Sequence, residues 1–71
     1  MSRKGMRQRL EALVSDMVSG GIRLEEGMGE FECQFLLRVL RENGGNQSRA
    51  AEVLGMHRNT LRNKLRRYGI R

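Results

Sequence analysis

The sequence predicts an all-α fold of four helices, and three observations carry that expectation. The 71-residue chain has no proline, few aromatic residues and no alternating β-branched run. Apolar residues recur at helical spacing in four segments, and glycines stand between them at Gly20-Gly21, Gly44-Gly45, Gly55 and Gly69. A chain this short makes one domain, residues 1–71, whose small core calls for a disulfide, a metal or a second subunit as support. Cys33 and His57 are the sole members of their types, so an intrachain disulfide and a structural zinc site are both excluded. Oligomerisation is what remains. No apolar run approaches the ~20 residues of a bilayer span. The basic start, Arg3 and Lys4, leads into amphipathic sequence rather than the apolar core of a signal peptide. A reduced, intracellular home follows, with no membrane, metal or cofactor.

The first helix is expected from Met6 to Val18. Leu10, Leu13, Val14, Met17 and Val18 lie on one face of it. Gly20 and Gly21 supply a left-handed exit. The second begins between Leu24 and Glu30 and runs to Asn43, its start blurred by Gly27 and Gly29, each costing ~1 kcal/mol inside a helix. Glu25, Glu26, Glu30 and Glu32 suit the positive end of its macrodipole. Phe31, Cys33, Phe35, Leu36, Leu37, Val39 and Leu40 cover far more than the ~100° stripe one packing partner requires. Either the helix is central in a monomer, or one side packs on its own chain and another on a second copy. The second reading is favoured and makes residues 6–43 the dimerisation unit, with Leu10, Leu13, Val14, Met17, Phe31, Phe35, Leu36 and Val39 at the interface.

Asn46 is an expected N-cap for a short third helix, Gln47 to Leu54, with Ala50, Ala51, Val53 and Leu54 inward. Gly55 closes it where the chain must turn sharply. A fourth helix then runs from His57 or Arg58 to Tyr68, and residues 46–69 read as a helix-turn-helix.

Charge is distributed unevenly over these segments. Residues 46–71 carry seven Lys/Arg against Glu52 alone, whereas residues 1–45 carry seven of each sign, so the whole formal charge of +6 sits at one end. Such asymmetry points to a polyanion. On the fourth helix Leu61, Leu65 and Tyr68 form a narrow core stripe, and opposite lie Asn59, Asn63, Arg66 and Arg67. Arg58 and Arg62 flank the stripe on one side, Thr60 and Lys64 on the other. A merely solvated helix intersperses Glu for i, i+4 pairing, and this one has no acid. Arg can read guanine, Asn can read adenine, and both can hold phosphate. The stripe is too narrow for a membrane-surface helix. No nucleophile with its base, paired carboxylates or phosphate loop suggests an enzyme.

The run GGNQSRAAEVLGMHRNTLRNKLRRYGI resembles the helix-turn-helix of the Fis family, matching at Gly45, Asn46, Ala50, Ala51, Leu54, Gly55, Arg58, Thr60, Leu61, Lys64, Leu65, Tyr68 and Gly69. EFECQFLLRVLRENGG resembles the preceding helix in Fis and in the C-terminal domains of NtrC-type activators. The resemblance implies a Fis-like subunit whose first two helices intertwine with a partner's to form the dimer core, the last two binding double-stranded DNA. It implies that Arg58 reads bases and that Thr60 and Arg62 line the groove or touch the backbone. Asn46 and Ser48 match phosphate-holding positions. His57 and Asn63 depart from the family's usual residues, which puts base preference there in doubt. The β-hairpin arm of Fis has no counterpart. The functional expectation is a dimeric, sequence-tolerant DNA binder in bacterial transcription regulation. The segment EFECQFLLRVL favours the DNA-binding end of an NtrC-type activator, with RNA polymerase or fused ATPase and receiver domains as further partners. The alternatives are a free-standing, DNA-bending protein of the nucleoid and, more remotely, a helical protein–protein dimerisation module.

Overall fold

The computed structural model describes residues 2–70; Met1, and Arg71 of the basic tail, lie outside the described residues. Four helices follow in order, α1 (Arg3–Ser19), α2 (Leu24–Glu42), α3 (Gln47–Leu54) and α4 (Arg58–Arg67), with no strand among the described residues. Helix α1 starts three residues before the expected Met6. Ser2 supplies the cap, its Oγ accepting from the Gly5 N–H at 3.1 Å. Of the glycine pair after it, only Gly21 is left-handed (φ 77°); Gly20 stays right-handed.

Helix α2 runs from Leu24 straight through both of its internal glycines. Close approach explains one of them. A Cβ at Gly27 would stand 2.9 Å from Met17 Cε, so the missing side chain is where α1 rests on α2. Glu25 and Glu26 occupy the first turn, and the Arg23 N–H donates to the Glu26 carboxylate. The helix ends at Glu42, one residue before the expected Asn43, whose amide nitrogen donates to the Val39 carbonyl.

The core belongs to α2, α3 and α4. Leu36, Val39 and Leu40 meet Ala50 and Ala51 of α3 and Leu61 and Leu65 of α4, with Leu54, Met56, Tyr68 and Ile70 packed around them. Leu36 and Val39, expected at a dimer interface, are buried inside the subunit instead. They lie on the side of α2 that faces α3 and α4. Val53, expected inward, is 65% exposed. The reason is angular: at ~100° per residue it sits roughly 110° from the centre of the Ala50–Ala51–Leu54 stripe.

Between α3 and α4, Gly55 adopts φ 72°, where a side chain would be strained. Asn46 caps α3 as expected, its Oδ1 accepting from the Arg49 N–H at 3.1 Å. Asn46→Ala should cost about 1 kcal/mol of stability in a denaturant titration, because that N–H loses its partner.

Helix α1 buries no residue. Met6, Leu10, Leu13, Val14 and Val18 form an exposed stripe along it, and Leu24, Met28, Phe31 and Phe35 form another on α2 at i, i+4, i+7 and i+11. The rings of Phe31 and Phe35 lie 5.8 Å apart. The radius of gyration is 13.9 Å, against about 11 Å for a compact domain of this length. The accessible surface is 6113 Å², whereas a compact monomer of 8.2 kDa shows about 4,500 Å². Most of the exposed large apolar side chains stand on α1 and α2. Among the described residues no helix is long and apolar enough to cross a membrane.

Candidate nucleic-acid interface

Leu61 and Leu65 are fully buried, and they fix the rotation of α4 about its axis. With that stripe turned inward, Arg58, Asn59, Thr60, Arg62, Asn63, Arg66 and Arg67 are all exposed. The helix carries no acid, and Lys64, Arg66 and Arg67 stand in its last turn, where cations also suit the negative end of the macrodipole. Its start is capped by an imidazole: His57 Nδ1 accepts from the Asn59 N–H at 3.2 Å. Asn46 and Ser48, at the N-terminus of α3, are exposed as well. Ten of the eleven candidate DNA-contacting residues therefore reach solvent.

Lys64 is placed differently. The sequence put it on the flank of the outward face, but its Nζ donates to Glu32 Oε2 of α2 at 2.8 Å, and the pair is about two-thirds buried. Tyr68 Oη donates to the other oxygen of the same carboxylate at 2.5 Å. Arg67 lies near enough to add a favourable charge. From the sequence, Glu32 stands out only as a dipole-compensating acid. The signal was its spacing: it stands one turn before Leu36, on the side of α2 that meets the rest of the subunit.

This network has a pH signature. The Lys64 hydrogen bond, and after it that of Tyr68, holds the Glu32 carboxyl below its ordinary range. Its share of stability is present above that range and is lost as pH falls through the lowered folded value. The same contact pushes the Tyr68 phenol above its ordinary value. That share is present below about pH 10 and is lost as pH rises through the raised folded value. The stability difference between wild type and Glu32→Gln should accordingly be flat near neutrality and shrink at both extremes. A difference that grew towards acid would contradict the assignment.

A groove of about 650 Å³ opens beside this network, lined by Met28, Phe31, Phe35, Leu54, Met56 and Tyr68 among others, with Glu25, Glu32 and Arg67 at its edge. Among the described residues, no three His, Cys, Asp or Glu side chains gather as a metal site. Cys33 is a free, partly buried thiol.

Residues 27–68 match the family described as bacterial regulatory protein, Fis family. Similar proteins include one named "Putative Fis-like DNA-binding protein" from Xylella fastidiosa, 56% identical over 41 residues, which are 58% of this chain and 46% of that protein. "DNA-binding protein Fis" of Buchnera aphidicola is 44% identical over 43 residues, 61% of this chain and 43% of its own length. The protein of the same name from Glaesserella parasuis is 46% identical over 43 residues, 61% of this chain and 44% of its own. The chain thus spans less than half the length of the relatives it matches. No solved structure matches it. The chain belongs to the Fis family of bacterial regulatory proteins.

Proposed function

We propose that this member of the Fis family is a dimeric, sequence-tolerant DNA-binding module of transcription regulation, with α4 entering the major groove. The observation that carries the reading is the acid-free face of α4, exposed over its whole length opposite two fully buried leucines. Relatives named as DNA-binding proteins are 44–56% identical to this chain over 41–43 residues. In this reading Arg58, Asn59, Arg62 and Asn63 face base edges, whereas Asn46, Ser48, His57, Thr60, Arg66 and Arg67 hold sugar and phosphate. Lys64 contributes least directly, because Glu32 already occupies it.

The surplus surface supports the dimer. About 1,600 Å² per subunit, buried on both sides, amounts to roughly 3,200 Å², within the range of obligate homodimers. Leu10, Leu13, Val14, Met17, Phe31 and Phe35 are its apolar contribution from this chain.

The names of the relatives support a free-standing Fis-like protein of the bacterial nucleoid, while the segment Glu30–Leu40 favours the end of an NtrC-type activator. The presence or absence of ATPase and receiver domains in the whole protein decides between them.

Binding measured across salt concentration tests the reading. A dimer that neutralises about 6–10 phosphates should show log K falling against log salt with a slope near −0.9 per phosphate. A slope shallower than about −2 would mean that α4 is not the DNA footprint.

A further inference from the structure

We propose that Glu32 is a positioning residue of the recognition helix: its one carboxylate grips Lys64 and Tyr68, locks α4 to α2 and keeps Lys64 out of the cations that meet DNA. The proposal rests on the DNA-binding reading above. The contacts join residues 32 and 36 positions apart, whereas the Gln34–Glu30 and Arg38–Glu42 pairs lie within single turns of α2. Both oxygens of Glu32 are used, by a donor from the last turn of α4 and a donor from its C-cap, four residues apart. Two anchors four residues apart tie α4 to α2 beside the buried Leu61–Leu65 stripe that sets its azimuth.

The cross-link spans the two halves of the molecule. Helix α2 carries the exposed apolar stripe that a second copy would cover, and α4 carries the cationic face. Any tilt of α4 on α2 is therefore a change in the distance and angle between the two recognition helices of a dimer. The chemistry of the three groups suits a fixed link. An ammonium and a phenol donate to a carboxylate that is held ionised, a charge-assisted arrangement stronger than neutral pairs. Occupied in this way, Lys64 differs from its neighbours Arg62, Asn63, Arg66 and Arg67, which are exposed. A phosphate would have to displace Glu32 to reach it.

The test compares wild type, Glu32→Gln, Lys64→Gln, Arg66→Gln and Tyr68→Phe, each as the 71-residue chain. Affinity for a selected duplex and for random duplex is measured across salt. Glu32→Gln should steepen the salt slope by about 0.9 per subunit as Lys64 is released to phosphate, and should narrow the ratio between selected and random duplex. Lys64→Gln should leave the slope unchanged, whereas Arg66→Gln should flatten it by about 0.9 per subunit. A merely structural Glu32 would lower melting temperature without moving any slope. Tyr68 is the single tyrosine and the chain has no tryptophan, so phenolate absorbance titrates this network alone. In Glu32→Gln its midpoint should fall towards that of a free phenol. A flat wild-type slope overturns the DNA reading, and with it the exclusion of Lys64 from DNA. A steep wild-type slope that Lys64→Gln flattens as much as Arg66→Gln overturns the exclusion of Lys64 alone. A Tyr68 midpoint unmoved by Glu32→Gln overturns the cross-link itself, whatever DNA does.

Discussion

Leu36→Asp should unfold the subunit, whereas Phe35→Asp should leave the subunit folded and abolish its dimer. The two side chains are neighbours on α2, and sequence alone gave them one fate. The structure separates them: Leu36 is 2% exposed against α3 and α4, and Phe35 is 51% exposed on the stripe about 100° round the helix. A carboxylate at position 36 has no cation among its neighbours in the core cluster, and an unpaired buried charge costs several kcal/mol. Seven residues form that core, so total stability stands at the low end of the usual ~5–15 kcal/mol and cannot absorb such a loss. At position 35 a carboxylate stays in water within the subunit. It becomes buried only if a second copy covers α2, and a symmetric dimer would then bury one such charge from each subunit. Circular dichroism and sedimentation at matched concentration separate the outcomes. A Phe35→Asp chain that sediments as a dimer, or a wild type that is a stable folded monomer at micromolar concentration, would remove residues 6–43 from the interface.

The difference between these neighbours shows what was legible in the sequence. Helix existence was, because glycines and the caps Asn46 and Gly55 act locally through backbone geometry. The inward stripe of α4 was, because Leu61 and Leu65 are the only aliphatic side chains within that helix. Helix α2 was not resolved to its faces, since apolar residues surround it and periodicity cannot say which neighbour each one meets. The start of α2 was obscured for a similar reason: the room that Gly27 leaves for Met17 is a tertiary fact. Propensity argued against a helix that continues through both glycines. Lys64 and Glu32 stand 32 residues apart, and the helical wheel that put Lys64 beside Thr60 contains no information about α2. Val53 is the opposite case: its hydrophobicity suits the core, but its angle on α3 carries it to the surface. Local rules thus placed the cationic face, while the tertiary contacts decided which of its cations are free.

Arg58→Ala should cost about 1–3 kcal/mol of binding and flatten base preference at one symmetric pair of positions. Arg58 is the first residue of α4, directly after the His57 cap, and it is exposed. Helix-turn-helix proteins touch base edges from this end of the recognition helix. The guanidinium fork can meet guanine O6 and N7 together, which a phosphate clamp does not require. Ser48→Ala and Thr60→Val, by contrast, should weaken binding to all sequences alike, since hydroxyls at the helix starts position the protein without reading it. The geometry of two subunits adds a constraint. Successive major grooves on one side of a duplex lie about 34 Å apart, so the site should be a degenerate inverted repeat with half-sites ~10 bp apart. If the subunits hold their α4 helices closer, the duplex must bend, and its uncontacted centre should favour sequences whose minor groove narrows easily. Selection from a random duplex pool with wild type and Arg58→Ala checks each part. Identical ranked sites from the two proteins would make Arg58 a phosphate clamp, and the base reader would then lie at Arg62, Asn59 or Asn63. Loss of preference at one base pair per half-site, with the others retained, is the outcome that places Arg58 in the groove.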